Sequence, residues 1–365
     1  MRILRNYLLK ELFRPLLLSL CIFTFVMLLG NLVKFVNLII VKGVDIYMIL
    51  KLFFYLIIYL LTYTLPVACL FAVLLSLGRL SSDNEIIALR VSGLNLFKVV
   101  FPLLVIGVIL SLCLVLINDR IIPLSHFASR KIISELGIKN PTSVLEPGTF
   151  IDSFEGYTIF IYSIKEDRLS GIRIYELQEE NKPVRTIVAK RGEFIPLVEK
   201  GLIKLKLIDG TLDEPDPRNP YSFYKMDFKN YFMTLKLSKN VDPSKLEKKP
   251  KDMNIKELKK EIQRLNSLGI DTNVLLTQLH KRFSSAFSVF VFILIGISLA
   301  LAVRHRTKSV NLGIAFLVII IYYLLSLGFE ALSIEGHLQP IISVWSPNLI
   351  FFSIGLFGLY KVCAS

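Results

Sequence analysis

The sequence predicts a membrane α-helical protein of six transmembrane helices, with one all-β, jelly-roll-like periplasmic domain inserted between the third helix and the fourth. Three observations predict this. The 365-residue chain is 53% hydrophobic and 20% charged, with a mean hydropathy of +0.59, too apolar for a soluble domain of its length. Its apolar runs near the ~20 residues that cross a hydrocarbon core fall into two groups of three. Between the groups lies a long region without a candidate span, rich in β-branched and aromatic residues.

The first run extends from Leu16 to Val41 behind a basic start containing Arg2, Arg5, Lys10 and Arg14. It is far longer than a signal-peptide core and has no small-residue cleavage site, so it reads as a retained helix. Leu52 to Leu77 and Val99 to Ile117 form the second and third spans, where Pro66 and Pro102 can kink the helix among protein neighbours. From about Ser143, the stretches Tyr157 to Ile164, Gly171 to Leu177, Thr186 to Lys190, Leu202 to Ile208 and Tyr231 to Leu237 read as strands. Turn chemistry separates them: Glu155-Gly156, Asp209-Gly210 and the cluster Pro215, Pro217 and Pro220. This spacing predicts an antiparallel sandwich or jelly roll rather than βαβ units. Ile203, Leu205 and Leu207 alternate with Lys204 and Lys206, so one sheet face is buried. After the lysine-rich linker Lys245 to Lys251, Ile255, Leu258, Ile262 and Leu265 give Asn254 to Leu268 the period of an amphipathic helix. The last three spans run from Phe283 to Val303, Val310 to Leu332 and Ile341 to Tyr360. The chain thus divides into helices over residues 1–117, with a short helix at about 82–92, a β domain with connecting helices over 118–282, and helices over 283–365.

The formal net charge of +14 raises the question of nucleic acid, but the basic residues mainly flank apolar runs or fall in the central polar region. They set topology instead. Arg79, Arg90 and Lys98 separate the second and third spans, and Arg304, Arg306 and Lys308 separate the fourth and fifth. By the positive-inside rule these loops and both termini are cytoplasmic, and the central domain lies outside.

Catalytic signatures are sparse. The sequence has no GxxxxGK[ST] phosphate loop and no HExxH pair, and His126, His280, His305 and His337 are scattered. Cys21, Cys69, Cys113 and Cys363 sit in or at the ends of apolar segments without a CxxC pair, so neither a disulfide framework nor a metal site is expected. Gly296 to Ser298 near His305 faintly suggests a serine nucleophile, but Ser298 can equally bond its own helix. The chain is expected to be non-catalytic and to bind no cofactor of its own.

The segment Gly78 to Gly93 reads as a short capped cytoplasmic helix. Ser82 and Glu85 have capping-box spacing, Asp83 suits the helix N-terminus, and Gly93 can end the helix in a left-handed conformation. One reading is an ordinary surface connection. The other is a docking element, in which Ile86, Ile87 and Leu89 enter a protein groove while a carboxylate pairs with a partner's arginine.

The run Phe71 to Arg90, with Leu65-Pro66 before it and Ser92-Gly93 after it, closely resembles the LptF/LptG family of lipopolysaccharide-export permeases. So do Tyr7-Leu8-Leu9-Lys10-Glu11, Asn118-Asp119 with Pro123, His280-Lys281-Arg282-Phe283 and Trp345-Ser346-Pro347-Asn348. The resemblance implies an inner-membrane permease that pairs with a second homologous permease and a cytoplasmic LptB-like ATPase dimer, which holds the ATP and Mg2+. It also implies LptC/LptA-like periplasmic bridge proteins that receive the lipopolysaccharide. The helix after the second span would be the coupling helix, with Glu85 as its acidic residue and Asp83, Ile86, Ile87, Leu89 and Arg90 around it. Lys34, about 9 Å below Ile40 at ~1.5 Å per residue, resembles a lysine of the family's G-type members and would meet a lipid A phosphate. Snorkelling to the interface is the alternative for that lysine. The pattern from Phe23 to Gly30 and His280 to Phe283 leans toward the F-type. A competing function class is a membrane-anchored envelope sensor or assembly scaffold without transport.

Overall fold

The computed structural model describes residues 2–40, 44–139, 148–165, 168–176, 185–196, 202–216, 219–236, 246–302 and 308–364. They form two compact units. The first comprises Met1–Val33, Phe53–His126 and Lys249–Ser365; the second comprises Lys34–Leu52 and Phe127–Lys248.

The helical elements are α1 (Arg2–Ile40), α2 (Ile46–Ser82), α3 (Glu85–Val91), α4 (Leu96–Leu116), α5 (Ile122–Lys139), α6 (Ile255–Ser267), α7 (Asn273–Ala302), α8 (Lys308–Ile334) and α9 (Pro340–Ala364). A π-helical turn, Ile117–Ile121, joins α4 to α5 without a break. Among the described residues, six helices are long and apolar enough to cross a membrane, in agreement with the six runs read from the sequence. The amphipathic helix is also present: Asn254 and Glu257 form a reciprocal capping box at the start of α6, whose Leu258 and Ile262 are buried.

The first unit is organised around α7, which packs against α4, α8 and α9. Small residues allow the close approaches. A Cβ at Gly296 would lie 3.1 Å from Val73 of α2, and one at Gly355 of α9 would lie 3.0 Å from Leu294. Such contacts associate helices where surrounding lipid removes the hydrophobic drive. Asn348, fully buried, ties three helices: its Nδ2 donates to the Ser284 carbonyl at 2.7 Å, and its Oδ1 accepts from the Tyr322 hydroxyl at 2.9 Å. The most apolar stretches of α1 and α8 are each only 11% buried, so both helices present Leu-, Phe- and Ile-rich faces outward.

The described residues of the second unit contain six strands: β1 (Phe150–Phe154), β2 (Tyr157–Lys165), β3 (Arg168–Glu176), β4 (Arg185–Pro196), β5 (Leu202–Asp216) and β6 (Asn219–Lys236). All neighbours are antiparallel, in the order β1-β2-β3-β4-β5-β6. The all-β expectation holds, with two refinements. β1 and the full lengths of β4, β5 and β6 exceed the stretches read from the sequence. The described strands also form a meander without the crossing of a jelly roll, because short connections pair each strand with its sequence neighbour.

The sheet nevertheless makes two layers by folding on itself. Ladder pairs are missing along one line through Tyr162, Gly171, Lys190, Asp209 and Lys229, and the register continues unchanged on either side. Across that line the inward face changes parity: Leu169 gives way to Ile172 and Ile174, and Leu205 and Leu207 to Leu212. Gly171 (φ 66°) and Asp209 (φ 55°) adopt left-handed backbone there. Asp209-Gly210 is therefore not a turn between strands, as its composition suggested, but a crease within β5. The closure is visible in Phe154, whose row continues through Tyr157 and Glu176 to Arg185. In a flat sheet Phe194 would lie about 30 Å along β4 from that row. Its ring instead stacks on Phe154 at 6.2 Å.

Candidate functional site

The short helix α3 follows directly from the end of α2. The α2 helix retains its own hydrogen bonding to Ser82, whose hydroxyl donates to the Gly78 carbonyl at 2.9 Å. The expected Ser82–Glu85 capping box is therefore absent. Asn84, left-handed at φ 57°, occupies the cap position without a side-chain cap bond. The other end agrees with the sequence: Gly93 is left-handed at φ 75°, and Gly93 and Leu94 donate backbone bonds to Arg90 and Leu89.

The six candidate residues on and before α3 divide between inward and outward roles. Ile86 is buried in the helical core and Leu89 packs against it. Ile87 is 48% exposed, and Val91, four residues on, is 83% exposed, so together they form an apolar outer face. Asp83, in the turn before α3, is exposed. Arg90 donates from Nη2 to the Val362 carbonyl at 3.0 Å, fastening α3 to the last turn of α9. Glu85 points to α1: the Tyr7 hydroxyl lies 3.0 Å from both carboxylate oxygens. Arg79 donates to the Tyr7 oxygen at 3.0 Å and pairs through Nε with Glu11 at 2.8 Å. Lys34 lies on α1 outside the group, and its side chain is outside the described residues.

A second polar region, missed in the sequence, lies inside the helical unit. A cavity of about 100 Å3 is lined by Tyr59, Thr62, Asn118, Gln278, Lys281 and Arg282 among others. An adjoining cavity of about 70 Å3 shares Thr62, Tyr63, Lys281 and Ser285 and reaches Tyr322 and Glu330. Asn118, on the π-helical turn, donates to the Arg282 carbonyl and Ser285 hydroxyl, each at 3.0 Å, and accepts from Thr62 at 3.0 Å. Asp119 accepts the Ile255 amide at 2.7 Å and stands 4.0 Å from Arg282, which also donates to the Met253 carbonyl. Lys281 contacts both Glu330 oxygens at 2.7 Å. Charges in membrane-spanning helices are costly unless paired, so these contacts explain why Asn118-Asp119 and Lys281-Arg282 are tolerated beside apolar runs. The available signal was those charges at the ends of the third and fourth spans that the positive-inside reading puts outside, where no basic flank is expected.

The faint nucleophile resolves into packing. Ser298 is buried, with its hydroxyl 3.0 Å from the Leu294 carbonyl and 2.6 Å from that of Gly355. His305 lies outside the described residues. Among the described residues, no three His, Cys, Asp or Glu side chains cluster as metal ligands.

Comparison with known proteins places this architecture. An uncharacterized protein of Rickettsia prowazekii (strain Madrid E) is 26% identical over 120 residues, a match that spans 33% of each chain. The family model described as lipopolysaccharide export system permease LptF/LptG matches residues 6–361, nearly the whole chain and all six membrane helices. The chain belongs to the LptF/LptG family of lipopolysaccharide export permeases.

Proposed function

We propose that the chain is the permease subunit of an ABC transporter that extracts lipopolysaccharide from the inner membrane and delivers it to a periplasmic bridge. The observation that carries this reading is α3, a short helix whose outer face carries exposed Ile87 and Val91, with exposed Asp83 in the turn before it, while its inner side is fixed by Ile86 and Arg90. An exposed apolar pair beside a carboxylate suits the groove of a protein partner with a basic rim. In this reading the partner is a cytoplasmic ATPase dimer, which supplies ATP hydrolysis with Mg2+, and Glu85 is the acidic residue of the joint. Both termini are then cytoplasmic and the β unit is periplasmic, a reading that the basic loops support.

The outward apolar faces of α1 and α8 provide walls for a second permease and for the acyl chains of the lipid. Lys34 would meet a lipid phosphate, and β1 or β6, the outermost of the described strands, would continue into bridge proteins by strand addition. The test is purification in mild detergent, identification of co-purifying chains, and ATP hydrolysis measured with and without lipopolysaccharide. A stoichiometric ATPase and second permease, lost or uncoupled by Glu85→Lys, are expected. A chain that purifies alone from several detergents would instead support the scaffold function.

A further inference from the structure

We propose that Tyr7 is a positioning residue that passes movement of the coupling helix to α1, the first membrane helix; this rests on the transport reading above. The geometry sets the direction of each bond. A guanidinium can only donate, so the Arg79 Nη2 bond at 3.0 Å occupies the Tyr7 oxygen as acceptor. The single Tyr7 hydrogen is then directed to the Glu85 carboxylate, 3.0 Å away. Tyr7 and Glu11 are one helical turn apart on α1, and both engage Arg79 of α2. On an adjacent face of the same turns, Leu8 and Leu12 are 2% and 3% exposed in the helical core.

The first turns of α1 are thus gripped by α2 and α3 together, whereas the apolar stretch beyond them is largely uncovered. Glu85 is the joint. A partner cation approaching the carboxylate competes with the Tyr7 hydroxyl, and any displacement of α3 draws on that hydrogen bond. Because Arg79 also holds Glu11, the pull is shared by two residues of α1 rather than by the hydroxyl alone. The network consequently links the docking helix to one of the two membrane helices with the least buried walls.

The test reconstitutes the complete transporter in liposomes with Tyr7→Phe or Glu11→Gln, and measures ATPase retention, ATP hydrolysed and lipopolysaccharide released. Both variants keep the ATPase attached, and the lipid released per ATP falls about fivefold in Tyr7→Phe, the scale of one hydrogen bond to a charged group at a half-exposed site. A merely structural role would lower the yield of folded complex without changing that ratio. An unchanged ratio in both variants overturns the proposal. Loss of the ATPase from both also overturns it, since Tyr7 would then act in docking. A wild-type chain that retains no ATPase overturns the transport reading itself and this inference with it.

Discussion

Two glycines of the β unit share a left-handed backbone but differ in the space around them, and the difference measures how tightly the sheet is creased. Gly171 lies on the fold line at φ 66°, and a Cβ built there would stand 2.8 Å from the Tyr162 Cβ. Gly156, in the turn between β1 and β2, has φ 79° and no atom within 4 Å of such a Cβ. Alanine at either position bears the left-handed penalty of about 1–2 kcal/mol. Alanine at 171 must also push apart two strands paired on both sides of the line, an overpacking cost of about 1–3 kcal/mol. Gly171→Ala should therefore destabilise the sheet by ~2–5 kcal/mol and Gly156→Ala by ~1–2 kcal/mol. Hydrogen exchange of the β3 and β4 amides in the full-length protein reads the difference, through the opening free energy of the central strands. Equal losses of protection in the two variants would refute the close-packed crease.

Two further outcomes concern the helical unit. Asn348→Leu preserves approximate volume but removes the bonds to Ser284 and Tyr322, and at ~0.6–1.7 kcal/mol per interhelical bond it should lower stability by about 1–3 kcal/mol; unfolding in mixed detergent micelles measures this. Glu330→Gln removes the countercharge of Lys281, whose side chain is 30% exposed, so the cost is held to about 1–2 kcal/mol. The same unfolding assay should show part of that cost recovered in the Lys281→Gln, Glu330→Gln double variant, and simple additivity would show the pair to be uncoupled.

The parts of this architecture that were legible in the sequence are those in which the signal is local. A run such as Val310 to Leu332 declares a span through composition, and Ile255, Leu258 and Ile262 declare α6 through their period. Asp209-Gly210 misled because the same residues serve a turn between strands and a left-handed crease within one. The distinguishing mark was the parity of Leu205 and Leu207 against Leu212, which shows a strand continuing with its face reversed. At the candidate site, α3 and its ending at Gly93 were legible, but Ser82 bonds within α2 rather than capping α3. The Glu85 carboxylate finds its partner 78 residues away in sequence, a distance at which neither spacing nor periodicity carries information. Likewise, Lys281 and Arg282 stand at the end of the fourth span that the positive-inside reading puts outside, and nothing local in the sequence names Glu330 and Asp119 as their partners.

The meander also governs how the β unit can be assembled. Every strand pairs with the one just synthesised before it, so the contacts that build the ladders are short in sequence and the loop-closure cost of each hairpin is small. A Greek-key order would leave an early strand edge waiting for a late strand to return, an interval in which exposed edges invite aggregation. Here β2 to β6 can zip one hairpin at a time as the chain emerges, and the long-range step is reduced to one closure along the line from Tyr162 to Lys229.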